Sequence, residues 1–271
     1  MSPRSSSALR GLRVTVLGAG NAGSAFAAAL SARAARVAVW TRRSGRKLSG
    51  MAAGSDLVLF CVRDDAIEPV AEDLARAWTL GRGPVALHTS GFHGLGPLRS
   101  LARAGFATGS IHPLVPLRGR SSAPDLAGAW FATSARGRAE AMARRLIAGL
   151  GGSELRLPPG DARKPAWHLA CTLVANGAVA LFDEALEHAG PRAAPALAAM
   201  LGTVAKRLAD GPRAALTGPA ARGEAEVVAG HLALLRRRPE EAELYRLLSR
   251  RLLSLADLAP AKRRAIARLL R

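Results

Sequence analysis

Cysteine is scarce in this chain of 271 residues, which has two thiols, Cys61 and Cys171. Two cannot build the disulfide framework of a small secreted domain, and they suit a reducing cytoplasm. Aromatic residues are also sparse at 4%. A core must therefore come from Ala, Leu and Val, a composition that favours helices. Acidic residues number 20 against 39 Lys and Arg. The positive excess is spread in pairs and short clusters, such as Arg236-Arg237-Arg238 and Lys262-Arg263-Arg264. A zinc motif, a basic arm and an aromatic-studded basic strand are all missing, so no nucleic-acid partner is expected. The field of such a chain instead attracts an anionic cofactor or substrate. The Ser-rich first ten residues hold no apolar leader core. Two apolar stretches, 14–30 and 165–182, are interrupted by glycines or by His168 and Asn176. The second suits a buried helix better than a bilayer span, and no membrane partner is expected. No metal-ligand spacing and no GxSxG elbow occurs.

What is present is an alternation of short apolar runs with Ala-rich stretches. Strands are predicted at 12–17, 36–41, 56–62, 85–88, 107–111, 130–133 and 153–157, with helices at 21–33, from Asp64 to Trp78, and near 96–103 and 135–150. The run DLVLFCV at 56–62 is unbroken, as for a parallel strand covered on both faces. Strands alternating with helices imply an α/β fold with a doubly wound, mostly parallel Rossmann sheet. After Pro158-Pro159-Gly160 the strand pattern stops. Helical periodicity runs through 161–189, 193–210, 224–236, 240–256 and 260–270. The expected division is a flexible segment 1–11, a nucleotide-binding domain 12–158 and an all-α domain 159–271.

Gly18-Ala19-Gly20-Asn21-Ala22-Gly23 is GxGxxG, placed after the first strand and opening a helix. The three glycines serve a tight turn, close approach of the backbone to a pyrophosphate, and helix–strand packing. Free N–H groups at the helix start then hold phosphate. Where an NAD site carries an acid at the end of the second strand, this chain reads Thr41-Arg42-Arg43-Ser44. Arginine pairs with a 2′-phosphate that an acid would repel, so NADP (NADPH) is the expected cofactor. Val62 and His88, at the ends of the third and fourth strands, complete the expected cofactor contacts.

Chemistry is expected at the carboxyl ends of the strands. Ser90 follows one strand and can donate to a substrate carboxylate or carbonyl. His112 follows the next and titrates near neutrality. Further on, His168, Thr172 and Asn176 lie at i, i+4 and i+8 of a predicted helix, on one face. His168 can deliver a proton and Asn176 can orient a substrate. For each of these, capping or a satisfied structural network is the competing account.

These motifs, with DLVLFCVRDDAI at 56–67, HTSG at 88–91, HPL at 112–114 and TGPAARG at 217–223, carry a resemblance. The chain resembles a bacterial family that pairs a Rossmann-like domain with domain of unknown function 2520. That family looks like a branch of the superfamily of 6-phosphogluconate dehydrogenase, β-hydroxyacid dehydrogenases and ketopantoate reductase. The resemblance implies a helical domain of the 6-phosphogluconate dehydrogenase type, which completes the active site and forms a homodimer. It also implies that Ser90 holds a substrate carboxylate. Several relatives use a Lys followed one helical turn later by Asn; here Lys164 lies one turn before His168. The function expected is NADP(H)-dependent hydride transfer to or from a small carbonyl, hydroxyacid or imine substrate, anionic through a carboxylate. The alternative is a nucleotide-binding regulatory or scaffold protein without turnover.

Overall fold

The computed structural model describes residues 8–158 and 163–271. Seven strands form one sheet: β1 (Arg13–Leu17), β2 (Arg36–Trp40), β3 (Leu57–Phe60), β4 (Val85–His88), β5 (Ala107–Pro113), β6 (Trp130–Ala135) and β7 (Ser153–Arg156). Their order is β2-β1-β3-β4-β5-β6-β7. All pairs are parallel except β5 with β6. Helical crossovers impose the parallel direction, whereas the chain from 114 to 129 returns to the sheet without a long helix.

The unbroken apolar run of β3 is explained by burial on both faces. Leu57 and Leu59 join one core layer, beneath α1 (Asn21–Ser31) and α5 (Gly137–Leu150). Val58 and Phe60 join the other, beneath α2 (Leu48–Ala53), α3 (Asp64–Arg76) and α4 (Arg99–Arg103). Alternate residues of a strand point to opposite faces, so a strand between two helix layers has no polar side. β5 runs two residues further than the sequence pattern indicated, to Pro113, which puts His112 on the strand itself.

The flexible segment expected at 1–11 needs correcting where it is described. Leu9 is wholly buried, packed against Gly149, where a side chain would collide with it. The ordered chain thus starts before Leu12; residues 1–7 lie outside the described residues.

Contact density divides the chain after Ala178 rather than after Pro158. The reason is α6 (Lys164–Ala189), a single helix of 26 residues. Its first half belongs with the sheet, because His168 packs against Phe92 and near His112. Its second half belongs with the helical unit. That unit also holds α7 (Ala194–Leu208), α8 (Pro219–Arg222), α9 (Ala225–Leu234), α10 (Pro239–Leu255) and α11 (Pro260–Leu269). A small core of Val228, Leu253, Ile266 and Leu270 joins the last helices. α7 buries none of its residues.

The buried helix expected over 165–182 is also corrected. Lys164 is the one buried side chain of α6, and Leu169, Leu173, Val174 and Val179 are all more than half exposed. By length and composition α6 is the one helix among the described residues that is apolar enough to cross a membrane.

Candidate active site

The glycine loop leaves β1 at the carboxyl edge of the sheet. Gly18 adopts φ +102°, and a Cβ there would stand 2.6 Å from the carbonyl oxygen of Cys61. A Cβ on Gly23 would overlap the Gly18 carbonyl, so α1 approaches the strand only with glycine at that position. Gly20 is different: nothing lies within 4 Å of where its side chain would be. Its backbone faces open space at a helix start, the arrangement that admits an anion. A cavity of about 460 Å³ opens here, lined by Gly18, Gly20, Asn21, Thr41, Arg42 and Val62 among others. Ala22 and Gly23 lie behind it in α1.

Arg42 and Arg43 sit in a short 3₁₀ turn with Ser44, whose hydroxyl donates to the Thr41 carbonyl at 2.7 Å. Neither arginine makes an ion pair among the described residues. The nearby acid, Asp65, is taken by Arg63 at 3.0 Å. Arg42 lines the cavity, while Arg43 and Ser44 do not. The residues therefore fit a dinucleotide with a phosphate at the end of β2: an open backbone cradle, free cations and no competing acid. One further segment joins them. Gly119, at φ +77°, has its Cβ direction 3.6 Å from Ser24 Oγ and 3.7 Å from Asn21 Oδ1. This brings its exposed neighbours Arg118 and Arg120 near the start of α1. Their signal in the sequence was an Arg-Gly-Arg turn, indistinguishable from the other basic pairs.

The second group of residues follows β4 and β5. Ser90 is 7% exposed and its hydroxyl is fully committed. It donates to Asp64 Oδ2 at 2.9 Å and accepts from the N–H groups of Phe92 and His93 at 3.1 and 3.0 Å. One donor and two acceptor positions exhaust a serine hydroxyl. Ser90 thus shapes the turn 90–93 and ties it to α3. His88 does not line the glycine-loop cavity; it is wholly buried and its Nε2 lies 2.7 Å from the Gly94 carbonyl. Burial pushes its pKa down to about 4, more strongly than that hydrogen bond raises it.

His112 and His168 close over Gly91. A Cβ on Gly91 would stand 2.7 Å from His168 Cδ2 and 2.8 Å from His112 Cε1. The two rings lie 6.2 Å apart, and His168 meets Phe92 edge-on at 6.1 Å. Burial first, then the charge of Lys164, holds His112 down to about 4, so its ring is neutral near pH 7. His112, His168, Thr172 and Asn176 all line one cavity of about 560 Å³. Successive steps of four residues rotate by about 40° around a helix, which is why Asn176 stands at the exposed rim while His168 is half-buried.

The sequence places Lys164 one helical turn before His168. In the structure it is 1% exposed and donates from Nζ to the Ser90 carbonyl at 3.1 Å. Burial lowers its pKa to about 8, against the raising effect of Asp64. The turn 90–93 is therefore fixed from both sides, by Asp64 through the hydroxyl and by Lys164 through the carbonyl. The sequence signal is partial: a lysine opening an apolar helix has an ammonium that must find a partner, but nothing local says which.

In the helical unit, Glu184, His188 and Glu241 come together, with His188 Nε2 2.9 Å from Glu241. Arg238 also holds Glu241, at 2.7 Å. The sequence spacing had indicated no such cluster.

Comparison with known proteins places these features. The family model described as a Rossmann-like domain matches residues 1–113. The model for domain of unknown function DUF2520 matches residues 129–252. The chain pairs a Rossmann-like domain with a DUF2520 domain. Glycerol-3-phosphate dehydrogenase (NAD(P)+) from a Synechococcus strain is 35% identical over 108 residues, 39% of this chain and 33% of its own length. The matched part thus spans about a third of that curated relative. Among solved structures, a candidate NADP oxidoreductase from Bacteroides fragilis superposes with a TM-score of 0.66 at 20% identity, over 89% of this chain and 98% of that one. An imine reductase from Streptomyces aurantiacus gives 0.54 at 21% identity, over 94% and 91%. These likenesses extend the fold assignment to both halves of the chain.

Proposed function

We propose that this protein is an NADP(H)-dependent oxidoreductase acting on a small carbonyl, hydroxyacid or imine substrate. One observation carries the reading. Within the sheet-bearing part of the chain, the glycine-loop cavity and the histidine-lined cavity both open at the carboxyl ends of the strands, the edge where doubly wound sheets bind ligands. The family pairing and the NAD(P)-linked relatives point the same way.

Bound there, NADPH supplies a hydride, two electrons and one proton, to the carbon of a C=O or C=N group. The chain's part is to bind, orient and complete the proton balance. Gly20 and the start of α1 receive the pyrophosphate, and Arg42 with Arg43 receives the 2′-phosphate. His168 delivers the proton to the substrate oxygen or nitrogen. His112, kept neutral, offers a ring nitrogen as a hydrogen-bond partner without a charge that would hold substrate and product alike. Asn176 orients the substrate from the rim. Ser90 acts indirectly, as the hub of the turn beneath both rings.

Leu169, Leu173 and Val179 of α6 are exposed, as are Met200, Leu201 and Leu208 of α7, and exposed apolar surface of this kind marks an interface. We read them as covered by a second copy. Lipid is the poorer partner, because α6 also carries Lys164, His168 and Asn176. Calorimetric titration with NADPH and NADH in parallel tests the central reading. Tight NADPH binding with turnover on a carbonyl or imine supports it. Tight binding without turnover on any of them would indicate the nucleotide-binding scaffold instead, and no binding of either nucleotide refutes both.

A further inference from the structure

The histidine-lined cavity differs in one respect from the rest of this basic chain. Among the described residues, no Lys, Arg, Asp or Glu lines it. Its walls are Leu114, Val115, Pro116, Trp167, Val174 and Ala175, with the polar edges of His112, His168, Thr172 and Asn176 between them. Lys164, a buried cation, is not part of the lining, and its ammonium donates to the Ser90 carbonyl. Two nitrogen atoms of lining residues, His112 Nδ1 and Trp167 Nε1, have no partner among the described residues.

We propose that this cavity selects an uncharged, largely apolar substrate: an alkyl or aryl ketone or imine, not a 2-oxo acid, a hydroxyacid or a phosphorylated ketone. The proposal rests on the oxidoreductase reading and narrows its substrates to neutral carbonyls and imines, leaving out the hydroxyacids. A carboxylate or phosphate entering these walls would lose its hydration with no cation among the described lining residues to face, a large penalty for an unpaired charge. An apolar body loses nothing comparable and buries its own surface against proline, valine and tryptophan. The volume, about 560 Å³, lies within the usual range of about 300–1,000 Å³ for small-molecule sites. One neutral polar group then suffices, with its oxygen or nitrogen between the two imidazoles. In the reduction, hydride goes to the carbon of that group and a proton from His168 to its heteroatom, giving an alcohol or amine and NADP+.

The test is a binding measurement on the full chain, using matched probes by calorimetry with and without NADP+. Acetophenone and benzoylformate share a phenyl ketone and differ by the carboxylate; dihydroxyacetone phosphate is the phosphorylated control. Acetophenone should bind at least tenfold more tightly than benzoylformate, with dihydroxyacetone phosphate undetectable. Ala175→Arg, which places a cation on the cavity wall, should reverse the order of the first pair. Circular dichroism and a retained NADPH titration would show that the variant folds. Preference of the unaltered protein for either anion, or failure of acetophenone to bind, overturns the proposal. Acetophenone binding in a protein that takes up neither NADPH nor NADH would uphold the cavity assignment while refuting the oxidoreductase reading.

Discussion

Replacing Lys164 with Met should change how stability depends on pH, and the size of the change follows from burial. Lys164 is 1% exposed and its pKa falls from 10.5 to about 8. At about 1.4 kcal/mol per unit, the charged ammonium costs the folded state about 3 kcal/mol. Below pH 8 the group is protonated in both states and the whole cost is present. Between pH 8 and 10.5 the folded chain sheds its proton first, so the unfolded chain binds more protons and stability rises with pH. Above 10.5 neither state is charged and the cost has gone. The native protein should therefore gain about 2–3 kcal/mol from this group between pH 7 and pH 10, a rise absent from Lys164→Met. Methionine is similar in reach, but it leaves the Ser90 carbonyl without its donor. That loss costs about 1–3 kcal/mol and does not depend on pH. The two effects separate cleanly, one as slope and the other as offset. Urea unfolding of both proteins at several pH values between 7 and 10, with equal m-values, measures them. Parallel profiles would refute the account and mean that Asp64 and Ser90 fully compensate the buried charge. Nuclear magnetic resonance titration of His112 gives a second readout. Its pKa should rise in the variant, because Lys164 is one of the charges that lower it.

Three further outcomes are expected. Replacing Arg42 and Arg43 together by Ala should weaken NADPH about 10- to 100-fold, as for loss of a charge-assisted pair, and leave NADH nearly unchanged; equal losses in parallel titrations would remove the 2′-phosphate role. Gly23→Ala should drive α1 away from the Gly18 carbonyl and lower NADPH affinity at least about tenfold, and unchanged affinity would show that the turn adapts. His168→Ala should reduce turnover about 10²-fold or more with the NADPH dissociation constant within about twofold; full turnover would move the proton to His112 or water.

The sheet was legible because two periodicities and the glycine turn agree locally. DLVLFCV at 56–62 has no polar face, and a strand between helix layers needs none. The glycines were legible for the same reason, since each serves a backbone demand within a few residues of itself. Lys164, Asp64 and the turn 118–120 were not, because their roles exist only through partners far along the chain: Ser90 lies 74 residues from Lys164. Ser90 and His88 show the converse. Both stand at strand ends, where ligands bind, yet their polar atoms serve the turn beside them, and no spacing rule reports which hydroxyl is already saturated. The exposure of α6 was not legible because its composition matches a core helix, while among the described residues its side chains are half-buried or exposed apart from Lys164.

The turn 90–93, held between Asp64 and Lys164 beneath two imidazoles, has a bearing on how such a scaffold can diversify. Its rigidity is independent of whatever occupies the cavity, since every hydrogen bond that defines it runs to α3, to α6 or within itself. The side chains that meet a ligand's body, such as those at 171, 174 and 175, project from a helix whose backbone needs none of them. Substitutions along that face can therefore retune selectivity while the reacting geometry stays constant. A library confined to those positions is where an altered substrate range should be sought.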